Sequence, residues 1–195
     1  GVSFLDYNLD GYSDIFIANG DAQRIKDSPQ GALSRPLFRS DNLYENNHSG
    51  GFTSKTGLDI CPTGESSRPL AVSDFDNDGD PDVFVGNRAW SIIKNPSNIL
   101  YTNSGSEGAH YLKVRLEGST DNSFGIGAII QITTASTTQT KILLAGNSFR
   151  SQNSRDTVFG LGTSSAPVTI QVTWPSGKVT LVKNVQIDQT FVVVQ

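Results

Sequence analysis

The sequence predicts an all-β protein, and three observations lead to this prediction. No window of useful length keeps apolar residues at positions i, i+3, i+4 and i+7, so helical periodicity is nearly absent. Short apolar runs recur instead, and turns rich in Gly, Asn, Ser and Pro separate them. An acidic loop pattern occurs twice at an offset of 68 residues, and each copy leads into one of these runs.

The apolar runs give ten predicted strands. Residues 1–5 are expected to form a further strand that enters the first acidic loop. Phe159 and Leu161, which stand between glycines, fit a strand whose backbone approaches a neighbour closely. The longest irregular stretch, 20–41, is either a solvated connection or an insertion that carries binding residues. The ten runs are 15–18, 43–44, 83–86, 99–101, 111–116, 128–133, 138–144, 168–173, 179–185 and 191–194.

The acidic loop at 74–82 carries carboxylates at positions 1, 3, 5, 7 and 9 and a glycine at position 6. Carboxylates this close repel one another, and a bound divalent cation removes the repulsion. Calcium fits best, because it takes six to eight oxygen ligands in flexible geometry. We expect Gly79 to make the tight turn at positive φ. An EF-hand is excluded because position 12 is Val85 and not glutamate. The predicted ligands are Asp74, Asp76, Asp78, Asp80 and Asp82; the alternative is a solvated acidic turn.

The first copy of the loop, residues 6–14, has the same glycine at position 6 but fewer acids. Asn8 stands at position 3, where the second copy has a carboxylate, so weaker calcium binding is expected. The predicted ligands are Asp6, Asn8, Asp10, Tyr12 (at position 7, where a backbone carbonyl can ligate) and Asp14.

The similarity between the two copies extends beyond the loops. Residues 15–17 align with 83–85, and Asn19 aligns with Asn87. A looser similarity relates 42–46 to 98–103, both of which contain Leu-Tyr-x-Asn. Repeats of this length are typical of stacked all-β units such as propeller blades. We therefore predict a partial β-propeller of about two calcium-loop blades.

These residues resemble the FG-GAP/VCBS repeat, which builds the calcium-loop blades of integrin α-type β-propellers. The resemblance implies Ca²⁺ as the cofactor. A propeller needs several blades, so we expect upstream blades of the same chain as partners. Gly1 is not a natural initiator and the chain has no Met, which indicates a fragment or a processed form.

A change in composition near 105–108 predicts the boundary between domains at 1–107 and 108–195. The first part has 8 basic and 15 acidic side chains, a net charge of −7, whereas the second has 7 basic and 4 acidic ones, a net charge of +3. Beyond the boundary the acidic pattern stops and the strands become longer. The second part is expected to be β-sandwich-like.

Four motifs follow in order in the second part: Gly-Ile-Gly-Ala at 125–128, Gly-Asn-Ser-Phe-Arg-Ser-Gln at 146–152, Phe-Gly-Leu-Gly at 159–162 and Trp-Pro-Ser-Gly at 174–177. Together they resemble the ASPIC/UnbV domain of cartilage-acidic-protein-like sequences, from about residue 111 to the C-terminus. Trp174 is expected to cap the sandwich core, or else to stack on a sugar ring if exposed. Arg150 and Arg155 flank a polar loop that either binds an anion or is simply solvated.

The sequence gives little support for catalysis. His48 and His110 stand apart from one another in turn-rich sequence, and the single cysteine, Cys61, is interpreted as an incidental residue. One cysteine and two histidines are also a poor zinc ligand set. The paired acids lie in the calcium loops, where a metal would hold them ionised and leave no general acid. We therefore expect no enzymatic activity.

Two functions remain open from the sequence. The first is a non-catalytic, extracellular or cell-surface calcium-binding module for adhesion or for recognition of a glycan or protein ligand. The second is an accessory region of a larger secreted or biosynthetic enzyme. No basic run with interleaved aromatics and no long apolar span occurs, so neither nucleic-acid binding nor a membrane span is expected. Extracellular calcium, near millimolar, would fill such loops, which favours a secreted or cell-surface location.

Overall fold

A computed structural model describes residues 1–20, 40–55, 66–88, 97–105 and 107–195. Within these ranges the chain forms fourteen strands and no helix, which confirms the all-β class. All ten predicted strands are present within a few residues of their expected bounds, as are the two further strands, at Val2–Leu5 and Thr157–Gly162. The described ranges contain no helix of the length and apolarity that a bilayer crossing requires. Cys61 and most of the stretch 20–41 lie outside the described residues.

Two antiparallel meanders form the first part of the chain, with strands that pair in sequence order. An acidic loop joins the first two strands of each meander, so the two loops occupy equivalent places. The first sheet comprises β1 (Val2–Leu5), β2 (Asp14–Ile17), β3 (Asn42–Asn46) and β4 (Phe52–Ser54). The second comprises β5 (Ser66–Ser73), β6 (Asp82–Arg88) and β7 (Ile99–Tyr101).

The sequence pattern did not predict β4 and β5, and the reasons are local. Strand β4 has three residues, all exposed, so it has no alternating apolar face. Strand β5 contains Pro69, which normally argues against a strand because it cannot donate to the ladder. A register shift between Ser67 and Leu70 accommodates the proline in the pairing of β5 with β6.

The two meanders pack together over one hydrophobic core. Both sheets contribute to it, and the inner strands β1 and β5 lie against each other. This is the arrangement of neighbouring propeller blades. The buried residues are Leu5, Phe16, Ala18, Leu43, Leu70, Val83 and Val85.

The second part is a sandwich of two sheets. One sheet has the strand order β10-β9-β12-β13 and the other β11-β8-β14, in which β14 runs parallel to β8. A core of fifteen buried residues, with contributions from both sheets, lies between them. The strands are β8 (His110–Glu117), β9 (Ile129–Thr133), β10 (Thr138–Ile142), β11 (Thr157–Gly162), β12 (Val168–Thr173), β13 (Val179–Val185) and β14 (Thr190–Val194).

Trp174 belongs to this sandwich core. Its side chain is 1% exposed, and its indole Nε1 donates to Thr180 Oγ1 at 2.9 Å. The prediction that it caps the core is confirmed. The alternative of an exposed ring that stacks on a sugar is wrong, because burial leaves no free ring face.

The polar loop after Arg150 joins the sandwich to both blades. Asn153 Oδ1 accepts the Val72 amide at 3.0 Å, and Asn153 Nδ2 donates to Ser3 Oγ at 3.0 Å. Each guanidinium of this segment lies over an aromatic ring, Arg150 over Phe149 and Arg155 over Phe124. An anion site between the two arginines stays a prediction.

Candidate metal centre

The two acidic loops share one backbone geometry. Gly11 and Gly79, at position 6, have φ values of 92° and 105°, which confirms the predicted positive φ. Each glycine amide donates to Oδ2 of the position-1 aspartate, at 3.0 Å to Asp6 and 2.9 Å to Asp74. The glycine thus turns the chain so that the loop closes on the carboxylate that begins it.

The two loops also share a hydrogen bond between positions 5 and 7. In the first loop, the Tyr12 amide donates to Asp10 Oδ1 at 2.8 Å. In the second, the Asp80 amide donates to Asp78 Oδ1 at 3.0 Å. Short side-chain acceptors two residues back therefore hold both loops in a tight curve.

Three buried carboxylate oxygens in these loops have no hydrogen-bond partner among the described residues: Asp6 Oδ1, Asp74 Oδ1 and Asp80 Oδ1. Asp6 and Asp80 are 3% and 6% exposed, and the Asp74 side chain is 2% exposed. A buried polar atom without a partner is costly, so these oxygens require a donor or a cation. Burial raises the pKa of Asp6 to about 6, and burial together with the neighbouring loop carboxylates raises that of Asp80 to about 6.

The second loop gathers its carboxylates around one point. Ligand oxygens of Asp74, Asp76 and Asp78 all lie within 4.8 Å of one another, so this cluster can hold a metal ion. Carboxylate oxygens favour a hard cation, and the set contains no nitrogen or sulfur ligand.

In the first loop, the oxygens of Asp10 already have hydrogen-bond partners. Asn8 Nδ2 and His48 Nε2 both lie 2.9 Å from Asp10 Oδ2, and Oδ1 of Asp10 is taken by a backbone amide. His48 also stacks on the Tyr12 ring, with 4.0 Å between the ring centroids. The sequence pattern did not predict the contact between His48 and Asp10, because 38 residues separate them.

The position-9 aspartates, Asp14 and Asp82, are fully buried. The two oxygens of each accept backbone amides, which come from loop position 2 and from the asparagine that ends Leu-Tyr-x-Asn. For Asp14 these are the Tyr7 and Asn46 amides, at 3.0 and 2.8 Å. For Asp82 they are the Phe75 and Asn103 amides, at 2.7 and 2.8 Å. Each asparagine side chain also donates to a backbone carbonyl of the first loop, Asn46 Nδ2 to Ser13 at 3.1 Å and Asn103 Nδ2 to Tyr7 at 2.6 Å, which explains the repeated Asn. The role of both aspartates as metal ligands stays a prediction.

Comparison with known protein families finds one family match in each half of the chain. Residues 6–85 match the FG-GAP-like repeat family, and residues 118–195 match the ASPIC and UnbV family. The chain is an FG-GAP-like repeat region followed by an ASPIC/UnbV region. The narrower resemblance to cartilage-acidic-protein-like sequences stays a prediction, as does the exact boundary at 107/108. A search of curated proteins finds no match.

Both FG-GAP loops lie directly on the sandwich. The Gly162 amide donates to the carbonyl of Leu9 at 2.8 Å, and a Cβ at Gly160 would lie 2.5 Å from Leu9 Cα. This confirms that the Phe-Gly-Leu-Gly strand closely approaches a neighbour. On the second loop, a Cβ at Gly79 would lie 2.1 Å from the Tyr111 ring.

Each of the two histidines contacts an aspartate. His110 Nδ1 lies 2.8 Å from Asp188 Oδ2, and His48 pairs with Asp10 as described above. In both pairs the partner is remote in sequence. Among the described residues, neither imidazole hydrogen-bonds to a serine or threonine hydroxyl.

Proposed function

We propose that the protein is a non-catalytic calcium-binding module that serves adhesion or recognition outside the cell. The observation that carries the calcium proposal is the equivalent geometry of the two position-1 aspartates. In each loop Oδ2 is held by the glycine amide, while Oδ1 is buried without a partner among the described residues. A carboxylate with one hydrogen-bonded oxygen and one without a partner, at both equivalent sites, supports a bound cation that coordinates carboxylate oxygens. Calcium suits that set of ligands.

Asp74, Asp76, Asp78 and Asp80 would hold the ion in the second loop, and Asp6, Asn8, Asp10 and the Tyr12 carbonyl in the first. We propose that the second loop binds calcium more tightly. It offers more carboxylates, and in the first loop the Asn8 amide is engaged with Asp10. Bound calcium would keep the loop carboxylates ionised and would remove their mutual repulsion.

Isothermal titration calorimetry of the full chain with CaCl₂ tests the proposal. We expect two binding events, and D76N should weaken the tighter one while D10N weakens the other. The matched control is E117Q, which removes one exposed negative charge at the end of β8 in the sandwich and should leave both events unchanged. The proposal fails if the wild-type chain binds no calcium, or if D76N and E117Q have equal effects.

The recognition part of the proposal rests on a cleft of about 470 Å³ between the first loop and the sandwich. Tyr12, 46% exposed, lines this cleft together with the hydroxyl-bearing residues Ser136, Thr137 and Thr138. An aromatic ring beside several hydroxyl groups suits a sugar, which has both apolar faces and polar edges.

A glycan array probed in calcium and in chelator tests this part. We expect calcium-dependent binding that Y12A abolishes and that F52A, a change at another exposed aromatic ring, leaves intact. Binding that is equal for Y12A and wild type would remove the cleft as the recognition site. A secreted or cell-surface location belongs to the same proposal, because millimolar extracellular calcium would fill sites of modest affinity.

A further inference from the structure

A lysine of the sandwich lies at the second FG-GAP loop. Lys113 Nζ, on β8, donates to Asp74 Oδ2 at 2.6 Å. The two side chains are 6% and 2% exposed, so the ion pair is buried. The Gly79 amide donates to the same oxygen, whereas Asp74 Oδ1 has no hydrogen-bond partner among the described residues. One oxygen of this carboxylate is therefore held by the ammonium, and the other is available to the proposed calcium ion.

The first loop has a related but weaker arrangement. Lys141, on β10, lines the same cleft as Asp6, and its charge acts to lower the pKa of that carboxyl group against the larger effect of burial. Its Nζ donates to the carbonyl of Val158 at 2.6 Å, and the described residues show no direct ion pair with Asp6. Each position-1 aspartate thus has one lysine of the sandwich near it, but only Lys113 makes contact.

We propose that Lys113 sets the calcium affinity of the Asp74 loop and couples the occupancy of that loop to docking of the sandwich. This inference rests on the proposed calcium function. An ammonium group on Oδ2 and a calcium ion on Oδ1 of the same buried carboxylate repel each other, because little solvent screens them. Lys113 therefore weakens calcium binding. In the absence of the ion it neutralises Asp74 and holds the loop against β8.

Thermodynamic reciprocity predicts the effect of calcium on the Lys113–Asp74 pair. If the Lys113 charge lowers calcium affinity by some factor, calcium weakens the Lys113–Asp74 pair by the same factor. Calcium would thus loosen one polar contact between the repeat region and the sandwich. The contacts at Asn153 and Gly162 do not involve a loop carboxylate and would remain.

Calcium titration of K113M and K113Q tests the inference, with D76N used to identify the Asp74 loop. Both variants remove the charge, and K113Q keeps a hydrogen-bond donor for Asp74. We expect the Asp74 loop to bind calcium about tenfold more tightly in both, within the usual range of such couplings. The matched control is K183M, a change at an exposed lysine on β13 of the same region, which should leave the affinity unchanged.

Urea denaturation gives an independent measurement. K113M should lose more stability in chelator than in saturating calcium, because the ion replaces the missing charge on Asp74. If wild type binds calcium but K113M and K113Q bind it equally or more weakly, the inference is overturned and the proposed function stands. If wild type binds no calcium, the proposed function itself fails. If K113M does not fold in chelator, K113Q and the calcium-saturated K113M still decide between these outcomes.

Discussion

Asp82 holds the backbone of Asn103 across 21 residues. Its Oδ1 accepts the Asn103 amide at 2.8 Å, and Asn103 Nδ2 in turn donates to the carbonyl of Tyr7 at 2.6 Å. The end of the second acidic loop is thereby connected to the start of the first. Asp14 and Asn46 form the equivalent amide contact at 2.8 Å. The last aspartate of each loop is thus a structural residue whether or not it also contacts calcium.

We expect D82A to destabilise the protein in chelator, where no calcium contributes. The substitution leaves the Phe75 and Asn103 amides without their buried charged acceptor, which costs about 3 kcal/mol. D76A, at an exposed position in the same loop, should cause little or no loss in chelator because it relieves repulsion. Urea denaturation in EDTA measures both. Equal losses for the two variants would contradict the structural role of Asp82.

The glycines at position 6 should differ in their tolerance of a side chain. Both need positive φ, but a Cβ at Gly79 meets the Tyr111 ring at 2.1 Å, whereas at Gly11 the nearest atom is Gln139 Nε2 at 3.0 Å. We expect G11A to lose about 1 kcal/mol from backbone strain. G79A should lose about 2 kcal/mol more from overpacking.

The double variant G79A/Y111A checks the source of the larger loss at Gly79. Removal of the ring should restore part of the stability that G79A loses, as measured by thermal denaturation in chelator. If Y111A simply adds its own loss to that of G79A, the two residues do not interact as described.

Gly160 should tolerate a side chain less well than Gly162 in the same motif. A Cβ at Gly160 would lie 2.3 Å from Asp6 Oδ2 and 2.5 Å from Leu9 Cα, and the Leu9 backbone cannot move aside without a shift of the loop. At Gly162, where φ is 56°, nothing lies within 4 Å. G162A should cost about 1 kcal/mol from strain, and G160A about 3 kcal/mol.

Hydrogen exchange distinguishes this effect from a general loss of stability. G160A should raise exchange at the amides of the first acidic loop, because that loop lies on β11. A G160A variant with wild-type exchange in residues 6–14 would show that the contact is not maintained in solution.

The Arg115–Asp156 pair should give a pH-dependent contribution to stability. The guanidinium donates to both carboxylate oxygens, at 2.7 and 2.5 Å, and these hydrogen bonds hold the pKa of Asp156 below its usual value. The pair therefore contributes above the unfolded-state pKa of about 3.9, and the contribution disappears as the pH falls through the lower folded-state pKa.

We expect D156N to lose about 0.5–1 kcal/mol at pH 7, since Arg115 is half exposed and solvent screens the pair. The variant and wild type should converge as the pH falls toward about 2. A double-mutant cycle with R115A, measured by urea denaturation in chelator across this range, isolates the pair. A coupling energy that does not change with pH would contradict the prediction.

The sequence by itself determined the features that depend on neighbouring residues. Alternation and turn composition predicted the strands, and the spacing of acids around Gly79 predicted a calcium loop with positive φ at the glycine. The strands and the positive φ at Gly79 are confirmed, because loop residues a few positions apart must adopt one local geometry. Calcium binding by the loop stays a prediction. The approach of a neighbour to Gly160 was also predicted, because a glycine inside a strand usually marks close contact.

Only the tertiary structure decided which distant groups meet these local features. The alternation of β8 places Leu112 and Val114 on one face of the strand and Lys113 on the opposite face. A lysine on the face opposite the core would normally point to solvent. Here the acidic loop covers that face and leaves Lys113 5% exposed. Lys113 with Asp74, Asn153 with Val72 and His48 with Asp10 are all pairs separated by 38 residues or more. Such contacts arise when segments that are remote in sequence pack together, so no periodicity within either partner's segment can specify them.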